Sequence, residues 1–180
     1  MHRYLRLFGT PAIHVFKSFI ADYGTGQNRK WNSCIMVLFS MEFEVMDISG
    51  DVGIRAYGKS CEESFVNAGI GMYSLITDIE RIDEKQTIDI ETKGDSLEGL
   101  LVSYLNELIF QFDTYGFIGK RIEIITFSNQ PMAFIKAKVY GEEFDPNRHE
   151  RRLLVKAATY HNIMVEKINS RWEIEVVFDI

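Results

Sequence analysis

The feature that most constrains this chain is a stripe of apolar residues between Leu97 and Phe112. Its members recur at helical spacing: Leu97, Leu100, Leu101, Tyr104, Leu105, Leu108 and Phe112. This spacing places all of them on one side of an α-helix, and that side must be buried against other elements. We therefore predict a helix here, with Asp95 as its N-cap and Glu98 completing a capping box.

A second stripe predicts another helix closer to the N-terminus. Its members are Phe65, Ala68, Met72 and Ile76. Ser60 and Glu63 have the spacing of a capping box at the start of this segment, and such a cap contributes about 1 kcal/mol. The predicted helix runs over residues 61–77.

The other regular segments have the alternation and composition of β-strands. They are Phe43–Met46, Val52–Tyr57, Ile88–Thr92, Arg121–Phe127, Met132–Tyr140, Arg152–Thr159, Ile163–Ile168 and Trp172–Phe178. The connections between the last strands are too short for a parallel crossover, which takes about a dozen residues, so these strands must pair antiparallel. The predicted fold class is α+β, with two helices packed on a mainly antiparallel sheet in a single compact domain.

Residues 1–40 differ in character from the rest of the chain. Asp22–Lys30 is polar and shows neither helical nor strand periodicity, and the basic segment His2–Arg6 is not followed by the apolar region of a signal peptide. We interpret residues 1–40 as an N-terminal appendage, non-native or poorly ordered, and residues 41–180 as the functional domain. Met41 is then the functional start, and a functional leader is the alternative interpretation.

Charge is distributed unevenly along the chain. Residues 1–40 contain five Lys or Arg and one Asp, a net charge of +4, whereas residues 41–180 contain 15 basic and 25 acidic residues, a net charge of −10. An acidic surface repels phosphate backbones, so we expect this protein to contact RNA only indirectly, through a basic protein partner. The alternative is that the negative charge simply keeps the domain soluble.

The cysteines and the hydropathy pattern indicate a cytoplasmic protein. Cys34 and Cys61 fit neither a disulfide framework nor a C-x-x-C metal site, which favours a reducing compartment. The longest apolar run, Ile35–Phe39, is far shorter than the roughly 20 residues that span a bilayer, so no membrane partner is expected.

Carboxylates are the clearest candidates for chemistry, because the sequence contains no G-x-S-x-G elbow, P-loop or H-E-x-x-H motif. Asp47 and Asp51 flank a short loop, and Asp179 precedes the terminal carboxylate of Ile180. Carboxylate oxygens suit hard divalent cations, that is, calcium or magnesium and manganese. The alternative is that Asp47 and Asp51 are ordinary turn residues.

Three further residues are candidates for supporting the site or contacting a partner. His149 lies in the locally basic segment Asp145–Arg152, which is either a solvated connection or a contact patch for phosphate. Lys156 and Tyr160 lie in the segment VKAATYH, which overlaps the end of a predicted strand, and strand alternation over this segment places both on one face.

Several segments, in order, resemble the archease family. They are Asp47–Gly58, similar to the family's D-H-T-A-D-V-x-x-x-A-x-G pattern; Cys61–Asp78, whose end is similar to M-x-x-x-M-T-D; Leu100–Phe112; Gly141–Tyr160, similar to G-E-x…H…V-K-A-x-T-Y; and Val176–Ile180. The resemblance covers residues 42–180 and leaves residues 1–40 outside it.

The resemblance implies a metal site at the end of the chain. Asp51 and Asp179 match positions that the family uses for metal, with the C-terminal carboxylate of Ile180 completing the site. Asp47 also matches a family position. Ile48 stands where the family usually has His, so any role of that histidine cannot be carried over to this chain.

The resemblance also implies a function. Archeases act on the RtcB-type RNA ligase of tRNA splicing and RNA repair, promoting guanylylation of the ligase and its multiple turnover. By this resemblance the chain is a non-catalytic protein cofactor of an RNA ligase. The alternatives are a general chaperone or adaptor, and a metal-dependent phosphoester hydrolase that uses Asp51 and Asp179, although no general base lies near these carboxylates in the sequence.

Overall fold

The strands of this protein divide between two antiparallel sheets. The computed structural model describes residues 42–48 and 50–180. Its strands are β1 (Phe43–Ile48), β2 (Asp51–Gly58), β3 (Gln86–Gly94), β4 (Phe117–Ser128), β5 (Ala133–Glu143), β6 (Ala157–Ala158), β7 (Met164–Ile168) and β8 (Arg171–Asp179). The first sheet has the order β1-β2-β8-β6, with β7 also paired to β8, and the second has the order β3-β5-β4. The α+β class, the antiparallel pairing and the single domain are confirmed, but the strands form two sheets rather than the one expected.

Two helices pack against these sheets and bury the two apolar stripes. Helix α1 (Cys61–Ile76) contacts β2 of the first sheet and β4 of the second, and helix α2 (Leu97–Tyr115) contacts mainly β3. The buried stripe residues of the two helices are Phe65, Ala68, Met72 and Ile76, and Leu100, Leu101, Tyr104, Leu105, Leu108 and Phe112. They join Ile54, Val139 and Val176 of the sheets in one hydrophobic core. Burial of these stripes provides most of the driving force that holds the helices in place.

Both helices begin at a serine N-cap. Ser60 Oγ accepts a hydrogen bond from Glu63 N–H at 3.1 Å, as predicted for α1. At α2 the cap is Ser96, whose Oγ accepts from Gly99 N–H at 3.1 Å, so the prediction of Asp95 as N-cap was wrong. Asp and Ser have similar N-cap preferences, so local propensity does not distinguish two adjacent candidates.

Tight turns set the register of both hairpins in the first sheet. Asn169 and Ser170 join β7 to β8 with φ of 48° and 74°, the positive values of a type I′ turn. Between β1 and β2, Ile48 pairs with Asp51, so the connection is shorter than the predicted loop Asp47–Asp51. Gly50 in this connection has φ of 106°, which a residue with a side chain rarely adopts.

The predicted strand Arg152–Thr159 was largely wrong. Only Ala157 and Ala158 pair with β8. The residues before them pair instead with the C-terminal end of α1, where Arg152 N–H donates to Ile76 O and Leu153 N–H donates to Leu75 O. The interpretation of residues 1–40 as an appendage, with Met41 as the functional start, lies outside the described residues.

Candidate functional site

The central strands of the first sheet bring Asp51 and Asp179 together. Strands β2 and β8 are antiparallel, with Val52 opposite Phe178. One position further along both strands, Asp51 lies beside Asp179, and alternation places both side chains on the face opposite the core. Both residues are exposed. The two aspartates that were predicted from the sequence as metal ligands therefore occupy neighbouring positions at the end of this sheet.

The C-terminus of the chain lies at the same place and is held by Lys156. Lys156 N–H donates to Asp179 O at 2.8 Å, and the neighbouring Ala157 pairs with Asp179. The Lys156 ammonium group then donates from Nζ to Ile180 O at 2.9 Å. Lys156 thus contacts the terminal carboxyl at this end of the sheet.

Two acidic residues occupy neighbouring positions of adjacent strands at this end of the sheet. Like charges directly opposite each other on neighbouring strands destabilise a sheet. Further along the same face, Arg55 is occupied by other carboxylates, with its Nε donating to Glu175 Oε1 at 2.6 Å and its Nη1 to Glu44 Oε1 at 3.1 Å. Lys156 Nζ, by contrast, donates its hydrogen bond to Ile180 O.

Asp47 lies on the other face of the sheet. It pairs with Val52, whose side chain faces the core, so the Asp47 carboxylate points away from the face of Asp51 and Asp179. Ile48 pairs with Asp51 and shares its face, and its Cδ1 would lie 2.9 Å from a Cβ added at Gly53. The position at which the family usually has His therefore adjoins the paired carboxylates, and here it presents methyl groups.

The donors at this end of the sheet are all oxygen atoms, which suits a hard divalent cation. Within residues 42–48 and 50–180, His, Cys, Asp and Glu side chains nowhere form a group of three or more that could hold a metal. The side chains of Asp51 and Asp179 therefore need the terminal carboxyl as a third donor. The donor chemistry fits calcium, magnesium or manganese, and metal binding stays a prediction.

His149 lies elsewhere and is buried, which corrects its interpretation as a solvated or partner-contacting residue. Only 1% of its side chain is exposed. Nδ1 accepts a hydrogen bond from Asp145 N–H at 3.0 Å, so this nitrogen carries no proton. Nε2 lies 3.3 Å from Glu142 Oε1, close but outside hydrogen-bond geometry. His149 therefore has a structural role.

His149 belongs to a cluster around the buried carboxylate of Glu142, a residue that was not predicted from the sequence. Glu142 accepts hydrogen bonds from Lys85 Nζ at 2.6 Å, from Arg148 Nη1 at 2.7 Å and from Asp83 N–H at 2.8 Å. Burial alone would raise the pKa of Glu142, but these donors outweigh it and lower the pKa to about 2. In the sequence, the burial of Glu142 was indicated only by its position directly after Gly141 in an alternating strand.

The arginines of the segment Asp145–Arg152 each make contacts within the protein. Arg148 pairs with Glu142 and with Asp83. Arg152 Nη1 donates to the main-chain oxygen of Ser74 at 3.2 Å, near the end of α1. The Arg151 guanidinium lies against aromatic rings, 5.4 Å from the centre of Phe144. All three arginines are nevertheless exposed, so the interpretation of this segment as a contact patch stays a prediction.

Tyr160 lies apart from the paired carboxylates and is 64% exposed. It lines an open groove of about 390 Å³ at the start of α2, together with Lys93, Ser96, Ser103 and Met132. The predicted placement of Lys156 and Tyr160 on one strand face is wrong, because the strand contains only Ala157 and Ala158.

Comparison with known proteins decides the family. The family described as "Archease protein family (MTH1598/TM1083)" matches residues 43–180. This chain belongs to the archease family. The resemblance drawn from the sequence is therefore confirmed, and the matched range contains all the candidate site residues.

Individual archeases show the same coverage. The archease of Pyrococcus furiosus is 35% identical over 140 residues, which is 77% of this chain and 99% of that protein. The archease of Sulfolobus acidocaldarius is 35% identical over 139 residues, with 77% and 98% coverage. The solution structure of Methanobacterium thermoautotrophicum protein 1598 superposes with a TM-score of 0.65 at 29% identity, covering 77% of this chain and 99% of that one.

In the part of the chain that the structure describes, neither helix is long and apolar enough to cross a membrane. The end of the first sheet, with Asp51, Asp179 and the terminal carboxyl, is the candidate site that sequence and structure share.

Proposed function

We propose that this archease is a non-catalytic activator of an RtcB-type RNA ligase in the cytoplasm, acting in tRNA splicing and RNA repair. In this proposal it promotes guanylylation of the ligase and sustains multiple turnover. Membership of the archease family supports the proposal, and the paired carboxylates at the end of the first sheet carry it. We call this group of Asp51, Asp179, the terminal carboxyl of Ile180 and Lys156 the acidic tip.

Charge complementarity supports contact between the acidic tip and a basic enzyme. Residues 41–180 have a net charge of −10, and Asp51 and Asp179 are exposed at the end of their strands. A nucleic-acid ligase must be basic where it holds phosphates, so the two surfaces attract each other and associate faster. The same negative charge repels free RNA, which supports RNA contact only through the ligase.

The residues of the acidic tip have different tasks in this proposal. Asp51 and Asp179 offer carboxylate oxygens on one face, and Lys156 holds the terminal carboxyl beside them. A divalent cation held by Asp51, Asp179 and the terminal carboxyl would supply positive charge for a phosphate group. The β-sheet fixes the main chain of both aspartates, so little freedom is lost when the tip docks.

The test is guanylylation of the ligase with and without this protein. We expect Asp51→Asn to lower activation at least about tenfold, since a charge-assisted contact contributes about 1.5–3 kcal/mol. Asp47→Asn is the matched control: it removes the same charge from the same hairpin, but on the opposite face. Equal activation by wild type and Asp51→Asn would contradict the proposal. An equal loss of activation in Asp51→Asn and Asp47→Asn would show that only the net charge matters, which would contradict a specific role of Asp51.

Extension of the chain past Ile180 tests the terminal carboxyl. A short Gly-Ser extension converts this carboxyl into a neutral peptide group, so we expect weaker activation and weaker calcium binding by calorimetry. The same extension at the N-terminus is the control.

Hydrolysis of phosphoesters by this protein alone would favour the hydrolase alternative. Protection of unrelated aggregating proteins would favour the chaperone alternative.

A further inference from the structure

Residues 144–156, which we call the strap, connect β5 to β6 and end at the acidic tip. The strap contains no helix or strand, yet His149 and Val155 within it are buried. A segment without regular structure has few hydrogen bonds of its own, so its path depends on contacts with other elements.

The first anchor of the strap is the Glu142 cluster. Arg148 Nη1 donates to Glu142 at 2.7 Å, and the buried His149 ring accepts the N–H of Asp145. The Asp145 carbonyl in turn accepts from His149 N–H at 2.8 Å. These contacts close the first turn of the strap and fix it to the end of β5.

The second anchor is the C-terminal end of α1, and its central residue is Thr77. Thr77 is fully buried, and its Oγ1 donates to Glu150 O at 2.7 Å. The last carbonyls of a helix have no partners within the helix. Here Arg152 N–H donates to Ile76 O at 2.9 Å and Leu153 N–H donates to Leu75 O at 3.1 Å. The strap thus satisfies the helix end, and the helix end sets the position of the strap.

Three residues after this anchor the strap reaches Lys156, whose N–H donates to Asp179 O. The position of the Lys156 main chain determines whether its flexible side chain meets the terminal carboxyl, at 2.9 Å in the structure. We propose that Thr77 is a positioning residue: with the Glu142–His149 cluster it fixes the strap so that Lys156 holds the terminal carboxyl in the acidic tip.

Amide hydrogen exchange tests this placement directly. Thr77→Val keeps the shape of the side chain and removes its hydrogen bond to Glu150 O. We expect exchange of the Lys156 amide to become at least about fivefold faster, while amides in β5 change little. The matched control is Ser74→Ala in the same helix, because Ser74 Oγ donates within α1, to Gly71 O, and not to the strap. Equal exchange at Lys156 in the two variants would overturn the proposal.

Ligase activation tests whether Thr77 acts through Lys156, and this step rests on the proposed function. Lys156→Met removes the ammonium group and keeps the length of the side chain. If Thr77 acts through Lys156, Thr77→Val lowers maximal activation in wild type about threefold and has no further effect in Lys156→Met. An equal loss in both backgrounds would overturn the proposal, since Thr77 would then act by general stability.

The two measurements separate the positioning role from the activator role. Faster exchange at Lys156 with normal activation by both Thr77→Val and Lys156→Met would support the placement of the strap and overturn the role of Lys156 in activation. No activation by wild type would contradict the proposed function. Lower activation by Lys156→Met with unchanged exchange in Thr77→Val would support the proposed function and overturn the positioning role.

Discussion

The buried carboxylate of Glu142 makes the stability of this protein dependent on acidic pH. Its pKa falls from the ordinary value of 4.5 to about 2 in the folded protein, because Arg148, Lys85 and the Asp83 N–H donate to it and outweigh the effect of burial. Each unit of difference between the pKa values in the folded and unfolded chain corresponds to about 1.36 kcal/mol. The ionised Glu142 therefore contributes about 3 kcal/mol to the free energy of unfolding.

The direction of this pH dependence follows from the lowered pKa. Above pH of about 4.5 the carboxylate is ionised in both the folded and the unfolded chain, and its full contribution is present. As the pH falls from 4.5 to about 2, the unfolded chain takes up the proton first, and the contribution is lost. A total stability of about 5–15 kcal/mol is typical of a domain, so this loss is a large part of it.

Urea denaturation of wild type and Glu142→Gln between pH 2 and pH 6 measures the contribution. We expect the variant to be less stable by about 3 kcal/mol near pH 6 and the difference to shrink toward pH 2. Subtraction of the two curves cancels the other carboxylates. A difference that does not change with pH would refute the assignment. If the variant does not fold, NMR titration of the Glu142 carboxyl carbon in wild type measures the lowered pKa directly.

Three further predictions concern single residues. Ser170→Gly should stabilise the protein by about 0.5–1 kcal/mol in thermal denaturation, because Ser170 has φ of 74°; unchanged stability would contradict this. Gly141→Ala should cost about 3 kcal/mol in the same assay, because its Cβ would lie 1.9 Å from Ile118 O, whereas Gly99→Ala, with 3.7 Å to the nearest atom, should cost nothing. Cys61 should resist iodoacetamide in the native state, since burial raises its pKa to about 12. Mass spectrometry measures the modification, and a modified Cys61 in the folded protein would contradict this prediction.

The helices could be predicted from the sequence because their signals are local. The stripe from Leu97 to Phe112 is buried at every position except Leu97, which is half-buried. The cap at Ser60 was also found, since its partner Glu63 lies three residues away. The cap of α2 was misplaced by one residue because Asp95 and Ser96 have similar preferences.

The strap could not be predicted from the sequence, because its partners are remote. Arg152 and Leu153 lie in a segment with the composition of a strand, yet their N–H groups donate to the last carbonyls of α1, more than seventy residues earlier in the chain. His149 has the local sequence of a solvated loop. The burial of His149 depends on Glu142 and on the charged groups around that carboxylate, and no local periodicity contains this information.

By itself, the sequence determined the two helices, most strands, the antiparallel pairing and the membership of the archease family, because periodicity, short turns and ordered motifs are properties of the chain. It also selected Asp51, Asp179 and Ile180. Only the tertiary structure decided that Asp47 points to the other face and that Lys156 meets the terminal carboxyl. These placements depend on strand register and on contacts between distant segments, which form when the core packs.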